Sequence, residues 1–170
     1  MEFSKIVLDR ISYYLRERNE TISVAESVTS GSIQQAFSQM PSAENFYSGG
    51  ITTYTLEQKV KHLNVDQQEA ETANCVSKSI TETMALNVAK LFDTDWAVAT
   101  TGYSTPVDES KGEIFAHYAV VYKDEIIISD FIELHPLTKP MDAQQYFTEV
   151  ILSCLRAEVR KKTPKLTTKY

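Results

Sequence analysis

Tyr54 and Lys59 are the most pointed pair of side chains in the sequence. Lys59 falls in the first turns of an expected helix, just after a strand that ends at Tyr54. A lysine so placed can act as a general base once burial or a neighbouring cation has lowered its pKa. A serine beside it would complete a Ser–Lys arrangement of the kind used in amide hydrolysis. The ordinary fate of a lysine is to snorkel at the surface, with the tyrosine at a layer boundary. A second group is Glu26-Ser27-Val28-Thr29-Ser30-Gly31. Small hydroxyl residues and a glycine after a short apolar run make a tight turn into a helix. The free N–H groups that open a helix attract an anion such as a phosphate. The commonplace role of Ser27, Thr29 and Ser30 there is capping. A third segment rich in hydroxyls runs from Thr101 to Pro106.

These segments need elements to hold them. Phe3, Ile6, Val7, Ile11, Tyr14 and Leu15 recur at helical steps, so a first helix ends near Asn19. Thr21 to Ala25 is β-branched and reads as a strand. Ile33, Phe37 and Met40 carry the next helix to Pro41, and Ser42 to Ser48 reads as a loop or short helical turn. Gly49 to Tyr54 reads as a strand. Thr55, with Gln58 three residues on, fits a capping box for a helix over 56–63. Val65 to Thr72 is a further short helix, and Asn74-Cys75-Val76 is a link. Ser77 caps a longer helix with Ile80, Met84, Val88 and Leu91 on one face. Trp96-Ala97-Val98-Ala99 is nearly continuous apolar, as a central strand covered on both faces should be. Glu113 to Tyr122 and Glu125 to Glu133 flank Lys123-Asp124 as a hairpin, and Thr138 opens a last helix. The expected fold is α/β: a three-layer α/β/α sandwich with a mixed sheet, parallel in its core and antiparallel at the late hairpin. Ligands of an open α/β sheet bind beyond the carboxyl ends of its strands. Glu26 to Gly31, Tyr54 to Lys59 and Thr101 to Pro106 all stand there.

The 170 residues suffice for one domain, expected over 1–160, with a basic tail at 161–170. The net charge of −6 and pI near 5.1 argue against nucleic acid as a partner. Cys75 and Cys154 are far apart, and His62, His117 and His135 form no i,i+4 pair, so no metal is expected. No apolar run approaches a membrane span and no signal peptide is visible. The reading is a reduced, cytoplasmic protein with no membrane partner.

The chain resembles the CinA C-terminal domain family, the nicotinamide mononucleotide deamidases. That family carries A-E-S-C-T-G-G at its first strand-to-helix turn, where this chain has Ala25-Glu26-Ser27-Val28-Thr29-Ser30-Gly31. Its P-G-A-S, aromatic and Gly, and V-x-Y-S-N-x-x-K pieces are similar to Pro41-Ser42-Ala43-Glu44, Phe46-Tyr47 with Gly50, and Thr52-Thr53-Tyr54-Thr55-Leu56-Glu57-Gln58-Lys59. Its G-A-V-S resembles Asn74-Cys75-Val76-Ser77, and its T-G-I-A-G-P loop resembles Thr101-Gly102-Tyr103-Ser104-Thr105-Pro106. The resemblance runs from Ser4 to about Leu155.

The resemblance implies a self-associating α/β/α domain that hydrolyses the carboxamide of nicotinamide mononucleotide and releases ammonia. It implies no cofactor. Its catalytic tyrosine and lysine fall on Tyr54 and Lys59. Its serine, the last letter of P-G-A-S, falls on Glu44. Substrate contacts are expected from Glu26, Ser27, Thr29, Ser30, Gly31, Gly50, Thr53, Thr101 and Gly102. A carboxylate at 44 would form an anhydride or activate a water, and beside Lys59 it would hold the lysine protonated. Ser42 and Ser48 flank that position as stand-ins. Two classes of function follow: an amidohydrolase, or a catalytically inactive nucleotide-binding or oligomerisation module of the same fold.

Overall fold

A computed structural model describes residues 2–162. The elements run α1 Lys5–Glu17, β1 Ile22–Glu26, α2 Ser32–Ser38, β2 Tyr47–Thr52, α3 Leu56–Leu63, α4 Gln67–Thr72, α5 Lys78–Phe92, β3 Trp96–Tyr103, β4 Ile114–Tyr122, β5 Glu125–Leu134 and α6 Pro140–Lys162. Short 3₁₀ turns occupy Ala43–Asn45 and Asp108–Ser110. The sheet order is β2-β1-β3-β4-β5. β1 pairs parallel with β2 and β3, and β3, β4 and β5 are antiparallel neighbours. This is the expected mixed sheet. The helix α6 continues through Arg160 to Lys162, so the basic run begins inside a helix. The rest of the expected tail, 163–170, lies outside the described residues.

Side-chain size sorts the two faces of the sheet. Ile22, Val24, Trp96, Val98, Tyr118 and Val120 project toward α1, α2 and α6, where Phe37, Phe147 and Leu155 fill the layer. The other face offers Ala25, Ala97, Ala99 and Ala119, on which α5 lies with Ile80, Met84 and Val88. Small residues there let the helix approach the strands closely, and larger ones would force it off. The helix α5 starts where Ser77 Oγ accepts from the Ile80 N–H at 3.0 Å. Thr55 stands at the start of α3, but its side chain makes no capping bond, so the expected capping box there does not form. The bottom of the sheet is tied by Glu20. Its carboxylate accepts from Trp96 Nε1 at 2.7 Å and Tyr122 Oη at 2.8 Å, and it pairs with Arg18. That knot joins β1, β3 and β4 at the end of the sheet away from the hydroxyl-rich segments.

Candidate active site

The turn after β1 is built on one carboxylate. Glu26 is fully buried at the last position of the strand. Its Oε2 accepts from Thr29 Oγ1 and from the N–H groups of Gly31 and Ile33, both at 3.1 Å. Its Oε1 accepts from the Gln34 N–H at 2.8 Å. The orphan donors that open α2 are therefore satisfied from within the chain. The expected anion site at this helix start is absent, because Glu26 already fills it. Ser30 and Gly31 take positive φ of 50° and 98° to fold the turn tightly, a conformation Gly31 adopts without strain. Gln144 of α6 donates to the Val28 carbonyl at 3.0 Å and fastens the turn from the far side.

Lys59 meets this turn. The Thr53 N–H donates to the Glu26 carbonyl at 2.8 Å, so the chain stays beside β1 after β2 ends. The helix α3 then turns Lys59 back over that segment. Its Nζ donates to the carbonyls of Thr53 at 2.8 Å and Tyr54 at 3.3 Å, and lies 3.0 Å from Ser27 Oγ. The lysine is 1% exposed and Ser27 6%. No ion pair to Lys59 forms among the described residues. Burial pushes its pKa below the ordinary lysine value, opposed in part by the charge the nearby Cys75 would carry as a thiolate. As an ammonium, Nζ donates to all three of these oxygens; once deprotonated, the amine keeps two N–H bonds for the carbonyls and has a lone pair for the Ser27 hydroxyl.

The pair opens on a cavity of about 480 Å³. Tyr54, Cys75, Thr101, Gly102 and Tyr103 help to line it. Tyr54 is 72% exposed and forms the rim, contributing its carbonyl to Lys59. Thr101 Oγ1 donates to the Cys75 carbonyl at 3.1 Å and fixes the α4–α5 link, where Asn74 and Cys75 both have positive φ. Burial raises the Cys75 pKa, so it stands as a thiol beside the lysine.

The structure brings together Ser27, Tyr54, Lys59, Thr101 and Gly102 of the expected site. It does not bring Glu44, Ser42 or Ser48 to them. Glu44 is exposed in the 3₁₀ turn that precedes β2, and Ser48 is exposed on β2. Ile22 pairs with Tyr47 at one end of the β1–β2 ladder and Glu26 with Thr52 at the other. A six-residue strand of roughly 20 Å thus separates Glu44 from Tyr54 and Lys59. The expected ion pair between Glu44 and Lys59 does not form for that reason. Thr29 and Ser30 serve the turn, and Gly50 packs. A Cβ on Gly50 would lie 2.8 Å from the Val24 carbonyl oxygen. Thr53 acts through its main chain, and its buried Oγ1 has no partner among the described residues. Cys75, Tyr103, Glu71, Glu109 and Gln144 line the cavity without having been singled out for it. Among the described residues no group of three His, Cys, Asp or Glu side chains could hold a metal ion, and no helix could cross a membrane.

The family profile described as the CinA C-terminal domain matches residues 5–131. The chain belongs to the CinA C-terminal domain family. A CinA-like protein of Synechocystis is 39% identical over 92 residues, 54% of this chain and 22% of the relative. One from Flavobacterium psychrophilum is 35% identical over 121 residues, 71% of this chain and 28% of the relative. The chain thus spans about a quarter of the length of these CinA relatives. A crystal structure of a CinA superfamily protein from Klebsiella pneumoniae superposes with a TM-score of 0.85 at 19% identity, over 94% of this chain and 99% of that one. One from Escherichia coli gives 0.81 at 22% identity, over 92% and 94%. The CinA fold is shared closely at low identity.

Proposed function

We propose that this chain is a Ser–Lys amidohydrolase, with Ser27 as nucleophile and Lys59 as its base. The observation that carries this reading is the 3.0 Å approach of Lys59 Nζ to Ser27 Oγ inside a cavity, with no carboxylate holding the lysine charged. The Ser27 oxygen attacks the carboxamide carbon while its proton passes to the Lys59 amine. The oxyanion is met by main-chain N–H groups of Val28 and Thr29, which follow Ser27 in the turn and donate to no acceptor among the described residues. Lys59 then gives the proton to the departing nitrogen, which leaves as ammonia. Water hydrolyses the acyl-serine with Lys59 again as base, and the carboxylic acid is released. The family resemblance points to a nicotinamide carboxamide as the group cleaved.

A binding or oligomerisation module without turnover is the alternative. It leaves unused a buried lysine with no ion pair among the described residues, an arrangement that costs stability. Ammonia release from nicotinamide mononucleotide and from its riboside tests the hydrolytic reading. So does mass spectrometry after treatment with a sulfonyl fluoride, where the label is expected on Ser27. A chain that releases no ammonia from either compound and takes no label at Ser27 is not this enzyme.

The pH profile adds an independent check. Lys59 must be neutral to accept the serine proton, and burial lowers its pKa. Below that lowered value the amine is protonated and the enzyme inactive, and activity rises as pH climbs through it. The ascending limb of kcat/KM is therefore expected below the ordinary lysine range of about 10.4. A limb that first rises at the ordinary lysine value would remove Lys59 as the base.

A further inference from the structure

All five arginines of the chain lie on α1, on the residue that ends it, or on α6. Two of them are committed. Arg16 Nε donates to Ser12 Oγ at 3.1 Å, and Arg18 pairs with Glu20 and donates to the Val159 carbonyl. The other three, Arg10, Arg156 and Arg160, line one groove of about 370 Å³ between the two helices, together with Ile6 and Tyr14. None of the three forms an ion pair among the described residues, and no carboxylate lines the groove there. The acids of the same helices are turned to other tasks or lie outside the lining. Glu149 accepts from Gln145 Nε2 at 3.0 Å and Glu158 pairs with Lys161, while Asp9, Glu17 and Asp142 do not line the groove.

On α5, Lys78 has Glu82 one turn on, the favourable arrangement. Arg156 and Arg160 are like charges at that same spacing, which disfavours the helix while the groove is empty. Arg10 adds a third charge from the facing helix. In a chain of net charge −6 these cations make a local field opposite in sign to that of the whole molecule. We propose that this groove binds a compact small-molecule anion with two adjacent phosphoryl groups, a diphosphate, through Arg10, Arg156 and Arg160. Guanidinium groups stay charged at any working pH and present paired donors that match phosphate oxygens. Three full positive charges call for more negative charge than an orthophosphate or one carboxylate brings. The volume is that of a small-molecule site. Ile6, 70% exposed, and the ring of Tyr14 give an apolar edge beside the cations. An extended polyanion such as nucleic acid would need a basic stripe beyond the groove, and the net charge opposes one. The groove shares no lining residue with the cavity at Ser27 and Lys59, so the inference does not depend on the proposed function.

Calorimetric titration of the whole chain with inorganic pyrophosphate at fixed ionic strength is expected to show one saturable site. Orthophosphate should bind about tenfold or more weaker. Arg156→Gln combined with Arg160→Gln is expected to weaken pyrophosphate binding by about tenfold or more, and Arg10→Gln alone by a smaller factor. Glutamine is as good a helix former as arginine, so both variants should keep the parent circular dichroism. Lys78→Gln on α5 should leave binding unchanged. ADP titrated beside pyrophosphate distinguishes the sources of the group. Tighter ADP puts the diphosphate on a nucleotide that uses the Ile6 and Tyr14 edge, and tighter pyrophosphate makes it a free anion. Absence of saturable binding of either below about 1 mM overturns the inference. So does binding that survives the arginine substitutions, or that Lys78→Gln weakens equally. Loss in Lys59→Ala with retention in the arginine double variant would move the anion to the cavity at Ser27. Attachment to phosphatidylserine vesicles without pyrophosphate binding would make the groove a membrane contact and equally overturn the proposal.

Discussion

Ser27→Ala is expected to lower carboxamide hydrolysis by about a thousandfold or more, the scale seen when an activated nucleophile is removed. Lys59→Ala should fall to a similar floor. The double variant should be little worse than either, since the two residues act as one unit. Lys59→Arg is the sharper substitution. A guanidinium keeps a positive charge and hydrogen-bond donors near the Thr53 and Tyr54 carbonyls, but it does not deprotonate and so cannot take the serine proton. It should be as inactive as the alanine variant. Glu44→Ala, at an exposed turn on the far end of β2, should keep activity within about twofold and stability within about 0.5 kcal/mol. Steady-state ammonia release by the five variants decides the matter. Full activity in Ser27→Ala together with loss in Glu44→Ala would return the chemistry to the other end of the strand.

That contrast also marks what the sequence could say. The sheet was legible because its signals are local and strong: the apolar run Trp96–Ala99, the turn Lys123-Asp124 between two β-rich runs, and Ser77 at a helix start. Tyr54 and Lys59 were legible because they follow a strand end. The partner of Lys59 was not, though the geometry was within reach. β1 and β2 are parallel, so Ser27 and Lys59 both follow strand ends while Glu44 precedes one. The family motif sets its serine at the position of Glu44, and strand polarity sets Ser27 beside the lysine. Glu26 shows a different limit. A glutamate at a strand end next to a helix start reads as a ligand contact or a surface charge. Only the fold shows it pointing inward under its own helix. The walls made by Cys75 and Tyr103 depend on docking the α4–α5 link over the end of β3, a long-range contact that no local pattern encodes.

Glu26→Ala is expected to be among the most destabilising single changes in the site. The carboxylate is fully buried and accepts from three main-chain N–H groups and one hydroxyl. Removing it leaves the opening donors of α2 facing protein rather than water, and unmet buried donors cost about 1–3 kcal/mol each when nothing relaxes. Fraying of this seven-residue helix relieves part of that cost, so a net loss of about 3 kcal/mol is expected. For a chain of this length that corresponds to a melting temperature lower by about 10 °C. Glu26→Gln does not restore the site, because one carboxylate oxygen becomes an NH₂ group that must face N–H donors. It should recover less than half of the loss. The same change reaches the chemistry, since Glu26 precedes Ser27 and its carbonyl holds Thr53, whose own carbonyl holds Lys59. At temperatures where the Glu26→Gln variant is still folded, kcat should therefore drop with little change in KM. Differential scanning calorimetry and kinetics on the same samples separate the two effects. A Glu26→Ala variant that melts within about 2 °C of the parent would show that the buried carboxylate is not what holds the start of α2.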